Sequence, residues 1–242
     1  MDWTDDAFVL GARPFGEGKA LAELLARSQG RVGGLAHSGR RSAPALQPGN
    51  LLRVSWRARL SDQLGSFSAL ELIKPYAAAA MSDPAALAAL ASVAALLRAT
   101  TAERQPYPGL FEALEVMAEH LHEPQLWPAL YARFELGLLA ALGYGLDLSA
   151  CALTGAIEDL AFVSPKSGRA ACAAAGAPFA DKLLRLPPFL TEPAAALRSG
   201  DVADAVALAG FFLERRVLDA RGQGLPDARR RLIEALGHSG RL

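Results

Sequence analysis

The chain has 242 residues, 52% of them hydrophobic and 21% charged, with 25 Lys and Arg balanced by 25 Asp and Glu. That composition supports a buried core in one or two domains and excludes a disordered tail or a uniformly basic nucleic-acid coat. The opening MDWTDDAFVLG lacks the cationic start and apolar core of a signal peptide, and the longest apolar run, Ala85 to Leu97, is short of the roughly 20 residues that span a bilayer. Two cysteines 21 positions apart suit reduced thiols, so the expectation is a cytoplasmic protein without disulfides.

The charges are unevenly placed. Residues 7–60 hold nine Arg and Lys but only Glu17 and Glu23, a local excess of +7. A single-sign patch of this kind attracts polyanions whatever the global charge, and nucleic acid is the leading ligand class; a solvated basic surface with no partner is the alternative. Up to about Pro75 the chain is punctuated by Gly and Pro, which suits short strands and turns. The segment Lys19 to Ser28, rich in Ala and Leu, is helical by propensity alone. Leu51 to Leu60 is the clearest strand: Leu52, Val54, Trp56, Ala58 and Leu60 alternate with a face bearing Arg53, Arg57 and Arg59. Same-face residues of a strand lie about 7 Å apart, near the phosphate spacing of an extended polynucleotide.

After Tyr76 the texture becomes helical. Asp83-Pro84 forms a cap and first-turn pair for a helix running to about Ala102. Further helices are expected over Gly109 to His122, Pro124 to Leu142 with Gly143 as its left-handed cap, Asp201 to about Ala220, and Pro226 to Gly237. Between them lies a turn-rich insert, 147–176, with Cys151 and Cys172. Two Cys-x2-Cys knuckles would signal tetrahedral zinc, but their second members here are Thr154 and Ala175, which cannot ligate it. The pair is either a site that has lost its metal or two ordinary buried cysteines.

Catalytic constellations fail. Gly16 and Gly18 precede Lys19 without the Gly-Lys-Ser/Thr of a phosphate loop, and no Gly-x-Ser-x-Gly elbow occurs. His120 and His122 stand two apart on an expected helix, a poor chelate, and Glu112, Glu115 and Glu119 make a solvated stripe. A binding protein is expected, not an enzyme.

The spaced motifs Arg13-Pro-Phe-Gly-Glu-Gly, Gly30-Arg-Val-Gly-Gly-Leu-Ala, Leu46-Gln-Pro-Gly-Asn, Trp56-Arg-Ala-Arg-Leu and Phe162-Val-Ser-Pro-Lys-Ser-Gly-Arg occur in one order over nearly the whole chain. Together they resemble the RecO family of bacterial recombination mediators. The resemblance implies a multi-domain α+β protein: an N-terminal OB-fold β-barrel over 1–76, then an α-helical domain over 77–242 with 147–176 as a degenerate zinc-finger-like insert. It makes Lys19 to Ser28 a strand against its propensity. It also implies DNA repair by homologous recombination: binding single-stranded DNA, annealing complementary strands, engaging RecR and single-strand-binding protein, and helping to load RecA. On this sequence Arg31, Arg40, Arg41, Arg53, Arg57 and Arg59 would neutralise phosphates without reading bases, and Trp56 would stay in the barrel core. Arg215 and Arg216 would form a second basic surface for the acidic tail of single-strand-binding protein. No cofactor and no metal are expected at Cys151, Thr154, Cys172 and Ala175. An OB-fold module for RNA or another polyanion is the alternative.

Overall fold

Thirteen extended residues open the chain in the computed structural model, which describes residues 1–39, 42–59, 64–192 and 194–242. Strand β1 (Asp2–Pro14) is followed by β2 (Lys19–Ala26), β3 (Gly30–His37), a 3₁₀ turn at Ala43–Leu46, β4 (Leu51–Arg57) and β5 (Gly65–Lys74). They close a barrel in the order β1-β2-β3-β5-β4, with β3 and β5 parallel and the other pairs antiparallel, as in an OB barrel. The interior is filled by alternate residues, among them Ala20, Ala22, Leu24 and Ala26 of β2 and Leu52, Val54 and Trp56 of β4. This packing explains why Lys19–Ala26 is extended: its alanines suit a narrow lumen, and tertiary burial overrides helix propensity.

Chain reversal and close approach place two glycines. Gly30 has φ +70°, and a Cβ there would stand 1.9 Å from the Gln105 carbonyl oxygen; a Cβ at Gly65 would stand 2.1 Å from the Trp56 ring. The indole N–H of Trp56 donates to the Gly33 carbonyl at 3.1 Å, and Trp3 stacks on the ring at 5.5 Å. Trp56 is therefore a core residue, 4% exposed.

The chain divides into two compact units. The first holds Met1–His122 and Pro226–Ala235. Besides the barrel it takes in α1 (Tyr76–Ala79), α2 (Pro84–Thr100) and α3 (Pro108–Glu119). These helices cover the outer face where Phe8, Leu10 and Leu25 emerge; Phe8 meets Tyr76 and Phe111 at 6.1 and 5.0 Å between centroids. The Asp83 side chain accepts the Ala85 N–H at 3.0 Å, so the expected cap is in place. Helix α3 stops at Glu119, three residues short of its expected end.

The second unit holds Glu123–Leu225 and Leu236–Leu242. Its helix α4 (Trp127–Ala141) packs on α6 (Asp201–Phe212), and Gly143 has the expected positive φ, +85°. Between them in sequence come a sheet of order β7-β6-β8, from β6 (Leu160–Val163), β7 (Ala170–Cys172) and β8 (Leu184–Arg185), and the short α5 (Ala173–Gly176). Helix α6 ends earlier than the expected Ala220 because a π-helical turn, Leu213–Leu218, takes over. The last helix, α7 (Asp227–His238), contributes its first nine residues to the first unit. The stretch expected as a degenerate zinc-finger-like insert holds β6, β7 and α5, and its zinc-finger-like character has no support: among the described residues no group of three or more His, Cys, Asp or Glu side chains is placed to hold a metal ion.

Candidate nucleic-acid interface

The outer row of β4 carries Arg53, Ser55 and Arg57, as the alternation required. Register decides what that row can do. Across β1 the partners of Arg57, Ser55 and Arg53 are Asp2, Thr4 and Asp6, and across β5 Arg53 faces Glu71. Cross-strand partners share a face, so the basic row is interleaved with three carboxylates. Arg53 Nη2 donates to Asp6 Oδ2 at 3.3 Å and its Nε makes a second, shorter contact with Oδ1; the Asp6 hydrogen bond is the chief reason its guanidinium is held even more firmly protonated than usual. Arg57 and Arg59 are exposed.

Arg31 is not a free phosphate ligand. Its side chain is only 15% exposed and is bound to Glu23, to Glu103 at 3.6 Å, and to the Thr101 carbonyl at 3.1 and 3.2 Å. Arg27 is likewise occupied, donating to both oxygens of Glu115 at 2.9 and 3.2 Å while lying 4.2 Å above the Phe111 ring. Arg40 and Arg41 lie outside the described residues. The arginines expected to neutralise phosphates do not form one free row: Arg31 and Arg53 are paired with acids, and Arg31 is on β3 while Arg53 and Arg57 are on β4, two strands that are not neighbours in the barrel.

A different surface of the same unit gathers cations. A cleft of about 770 Å³ lies over the outer face of β1, β2 and β3, walled by α2, the Leu46–Pro48 segment, Leu64 and the start of α7. Arg13, Arg98, Arg104 and Arg231 line it, against Glu23 and Glu103. On its floor Gly11 and Gly33 flank Glu23 across three strands, the Arg98 guanidinium lies over Gly11, 3.4 Å from where a Cβ would stand, and the α2 wall offers Ala91, Ala94 and Ala95. A β-bulge between Val9 and Gly11 makes this geometry. Before it the odd-numbered residues Ala7 and Val9 point into the barrel; after it Gly11 and Arg13 pair with Glu23 and Leu21 and face outward.

The carboxylate of Glu23 is shared by Arg31 and, at 2.7 Å, by the Nε of Arg98, so it is neutralised from beneath and from the wall. Arg104 lies 5.5 Å over the Trp56 ring. Arg13 and Arg231 are exposed and have no ion-pair partner among the described residues; the neighbouring Arg230 is engaged by Asp227 and Glu234, and Arg229 is buried. Among the described residues no aromatic side chain lines the cleft. It can neutralise phosphates but offers no ring on which a base could stack. Sequence reading did not single out Arg13, Arg98 and Arg104, and it read the Arg229 to Arg231 run as part of a second basic surface, because a bulge and a long-range helix placement bring these residues together.

In the second unit Arg216 lies 4.5 Å over Phe212 and across the Gly168 turn, donating to the Tyr144 carbonyl at 3.5 Å, whereas Arg215 is exposed beside Phe211. The two expected partner-binding arginines therefore differ: one braces loops and one faces solvent. His120 and His122, beyond the end of α3, each bond a backbone carbonyl of that helix through Nδ1, at 2.8 and 2.9 Å, with rings stacked at 6.5 Å.

Cys151 and Cys172 are both free and buried, and the Thr154 Oγ1 lies 3.7 Å from the Cys172 sulfur. Two thiols, a hydroxyl and the Ala175 methyl do not make a structural zinc donor set, so the zinc module of the resembled family does not fit these residues. No helix among the described residues is long and apolar enough to cross a membrane.

The first unit is a closed five-stranded barrel of OB type with a cation-rimmed cleft, and the second is a largely helical unit. Residues 1–76 match the family model described as Recombination protein O N terminal, and residues 81–223 match Recombination protein O C terminal. The chain is similar to the DNA repair protein RecO of Phenylobacterium zucineum, 47% identical over 244 residues and 100% of both chains. It is also similar to that of Hyphomonas neptunium, 44% over 239 residues and 98% of each, and to that of Rhizobium rhizogenes, 47% over 238 residues, 97% of this chain and 91% of the relative. The chain belongs to the RecO family, and its role is in DNA repair and recombination.

Proposed function

We propose that this chain is a non-enzymatic recombination mediator that binds single-stranded DNA through the cleft of its first unit, anneals complementary strands, and acts with RecR and single-strand-binding protein to help load RecA. The observation that carries the DNA contact is the cleft itself: Arg13 and Arg231 line it, exposed and without an ion-pair partner among the described residues, and Arg98 and Arg104 add further positive charge beside Glu23 and Glu103. Exposed guanidinium groups along one cleft can grip phosphates bidentately. Contacts to phosphates carry no base code, so binding is indifferent to sequence, which a protein handling any damaged sequence requires. Annealing follows from the same electrostatics, since arginines that screen one strand lower the repulsion met by its complement.

The test is a fluorescence titration of the intact protein with an unstructured single-stranded DNA over a salt series, with RNA of equal length as competitor, followed by strand annealing on the same sample. Salt-sensitive DNA binding with annealing supports the reading. Preference for RNA without annealing supports a general polyanion module instead.

A further inference from the structure

We infer that Phe15, at the tip of the β1–β2 hairpin, is the platform on which an unpaired base stacks where its strand leaves the cleft, with Lys19 and His37 beside it. Phe15 supplies the ring that the cleft lining lacks, and its role rests on the cleft being the phosphate-binding site.

Register builds the platform. On the outer face of the barrel Gly11, Glu23 and Gly33 make one cross-strand row, and Arg13, Leu21 and Leu35 make the next. Lys19 pairs with His37 two residues further along, and the Phe15 N–H donates to the Lys19 carbonyl at 3.0 Å, continuing the pairing of Arg13 with Leu21 and Pro14 with Ala20. Phe15, Lys19 and His37 therefore form a third row on the face that floors the cleft. Alternation fixes the facing: the intervening Ala20, Ala22 and Ala36 are buried in the barrel, whereas Lys19 and His37 are exposed. Same-face residues lie about 7 Å apart along a strand, so Arg13 and Phe15 are one nucleotide step apart on an extended polynucleotide.

The setting suits a base. Phe15 is 48% exposed, and among the described residues of the first unit it is the one aromatic ring so exposed. It is carried on a fixed turn: Gly16 and Gly18 have φ of +69° and +65°, and the Gly18 carbonyl accepts the Ser38 N–H at 2.9 Å. A ring already held in place gains contact area on binding with little ordering to pay. Its cationic neighbours on the face, Arg13 and Lys19, are exposed and have no ion-pair partner among the described residues, and Glu17 is the one carboxylate of the turn. Leu21 and Leu35, half-buried, give an apolar ledge between the cleft floor and the ring. Every base has a π-face, so a stack of this kind adds affinity without adding a sequence code.

The test uses the full chain and two strands of about 12 nucleotides, one of thymidines and one of abasic sugar-phosphate units. Phe15→Ala, Phe15→Leu and Phe15→Trp change an exposed turn residue, and circular dichroism checks the fold of each. The unmodified chain should bind the thymidine strand roughly tenfold more tightly than the abasic one. Phe15→Ala and Phe15→Leu should lose that preference while keeping both the abasic affinity and the salt slope. Phe15→Trp should keep the preference, with its added indole emission quenched by the thymidine strand alone. Equal binding of the two strands by the unmodified chain, or equal losses on both strands in Phe15→Ala, overturns the platform and leaves the cleft standing. A parental salt slope after neutralising Arg13 and Arg231 refutes the cleft instead, and is read separately because base content does not enter it.

Discussion

Neutralising Arg13 and Arg231 together is the most informative perturbation of the cleft. Both are exposed, both line it, and neither has an ion-pair partner among the described residues, so Gln at each position removes a cation without orphaning an acid. Each lost phosphate contact on a single strand lowers the slope of log K against log salt by about 0.7, so the double variant loses about 1.4, which is ~25-fold in affinity near 0.1 M salt and only ~5-fold near 0.3 M. The matching control is Asp6→Asn with Arg53→Gln, which deletes an ion pair on the β4 face and leaves net charge unchanged. The assay is a fluorescence titration of a labelled unstructured strand at four or five salt concentrations. The reasoning is refuted if the Arg13/Arg231 variant keeps the parental slope, or if the Asp6/Arg53 variant loses as much slope as it does.

Three further outcomes follow from the same coordinates. Glu23→Gln strips the carboxylate shared by Arg31 and Arg98 and leaves the 15%-exposed Arg31 undercompensated; denaturant unfolding should show a loss of about 1 to 3 kcal/mol, and an unchanged midpoint would show the pair to be idle. The Tyr76 hydroxyl is buried with no hydrogen-bond partner among the described residues, and burial, then Glu119 and Glu115, push it up to about 12, so it stays a neutral phenol; Tyr76→Phe should hold or raise stability by up to about 1 kcal/mol, and a clear drop in the unfolding midpoint contradicts that. The Ser149 hydroxyl and amide, then Arg169, hold Asp147 below the usual carboxylate range. A depressed folded pKa means stability that is present above the unfolded value and lost as pH falls through the folded one, so acid unfolding of Asp147→Asn should be less steep, and an Asp147 midpoint in NMR titration at or above the ordinary value would reverse the sign.

Much of the barrel was legible because its signals are local. The alternation over β4 and the cap at Asp83-Pro84 each depend on residues within a few positions. The strand at Lys19–Ala26 was legible only through family resemblance, since its alanines carry no period-two signal and their burial is decided by distant β1 and β3. The pairing of the basic residues with acids was illegible for the same reason. A count over 7–60 gives an excess of +7, but Asp6 and Glu115 lie outside that window and fold onto Arg53 and Arg27. The acids at positions 2 and 6, spaced to share a face of β1, were the available clue to the pairing on β4. No local pattern announces the bulge at Val9/Gly11 that turns Arg13 toward the cleft, nor the arrival of Arg231 from the far end of the chain.

Filling the cleft without touching its charge tests its occupancy most directly. Ala91, half-buried on the α2 wall, is replaced by Trp, with Gly33→Leu on the floor as a second variant, and single-stranded DNA affinity is measured for both after circular dichroism shows the parental fold. Loss of at least roughly tenfold in affinity, at fixed net charge, is the expected result, since a backbone held by several phosphate contacts cannot be displaced cheaply. Parental affinity in two folded variants with an obstructed cleft would place the strand elsewhere on the molecule.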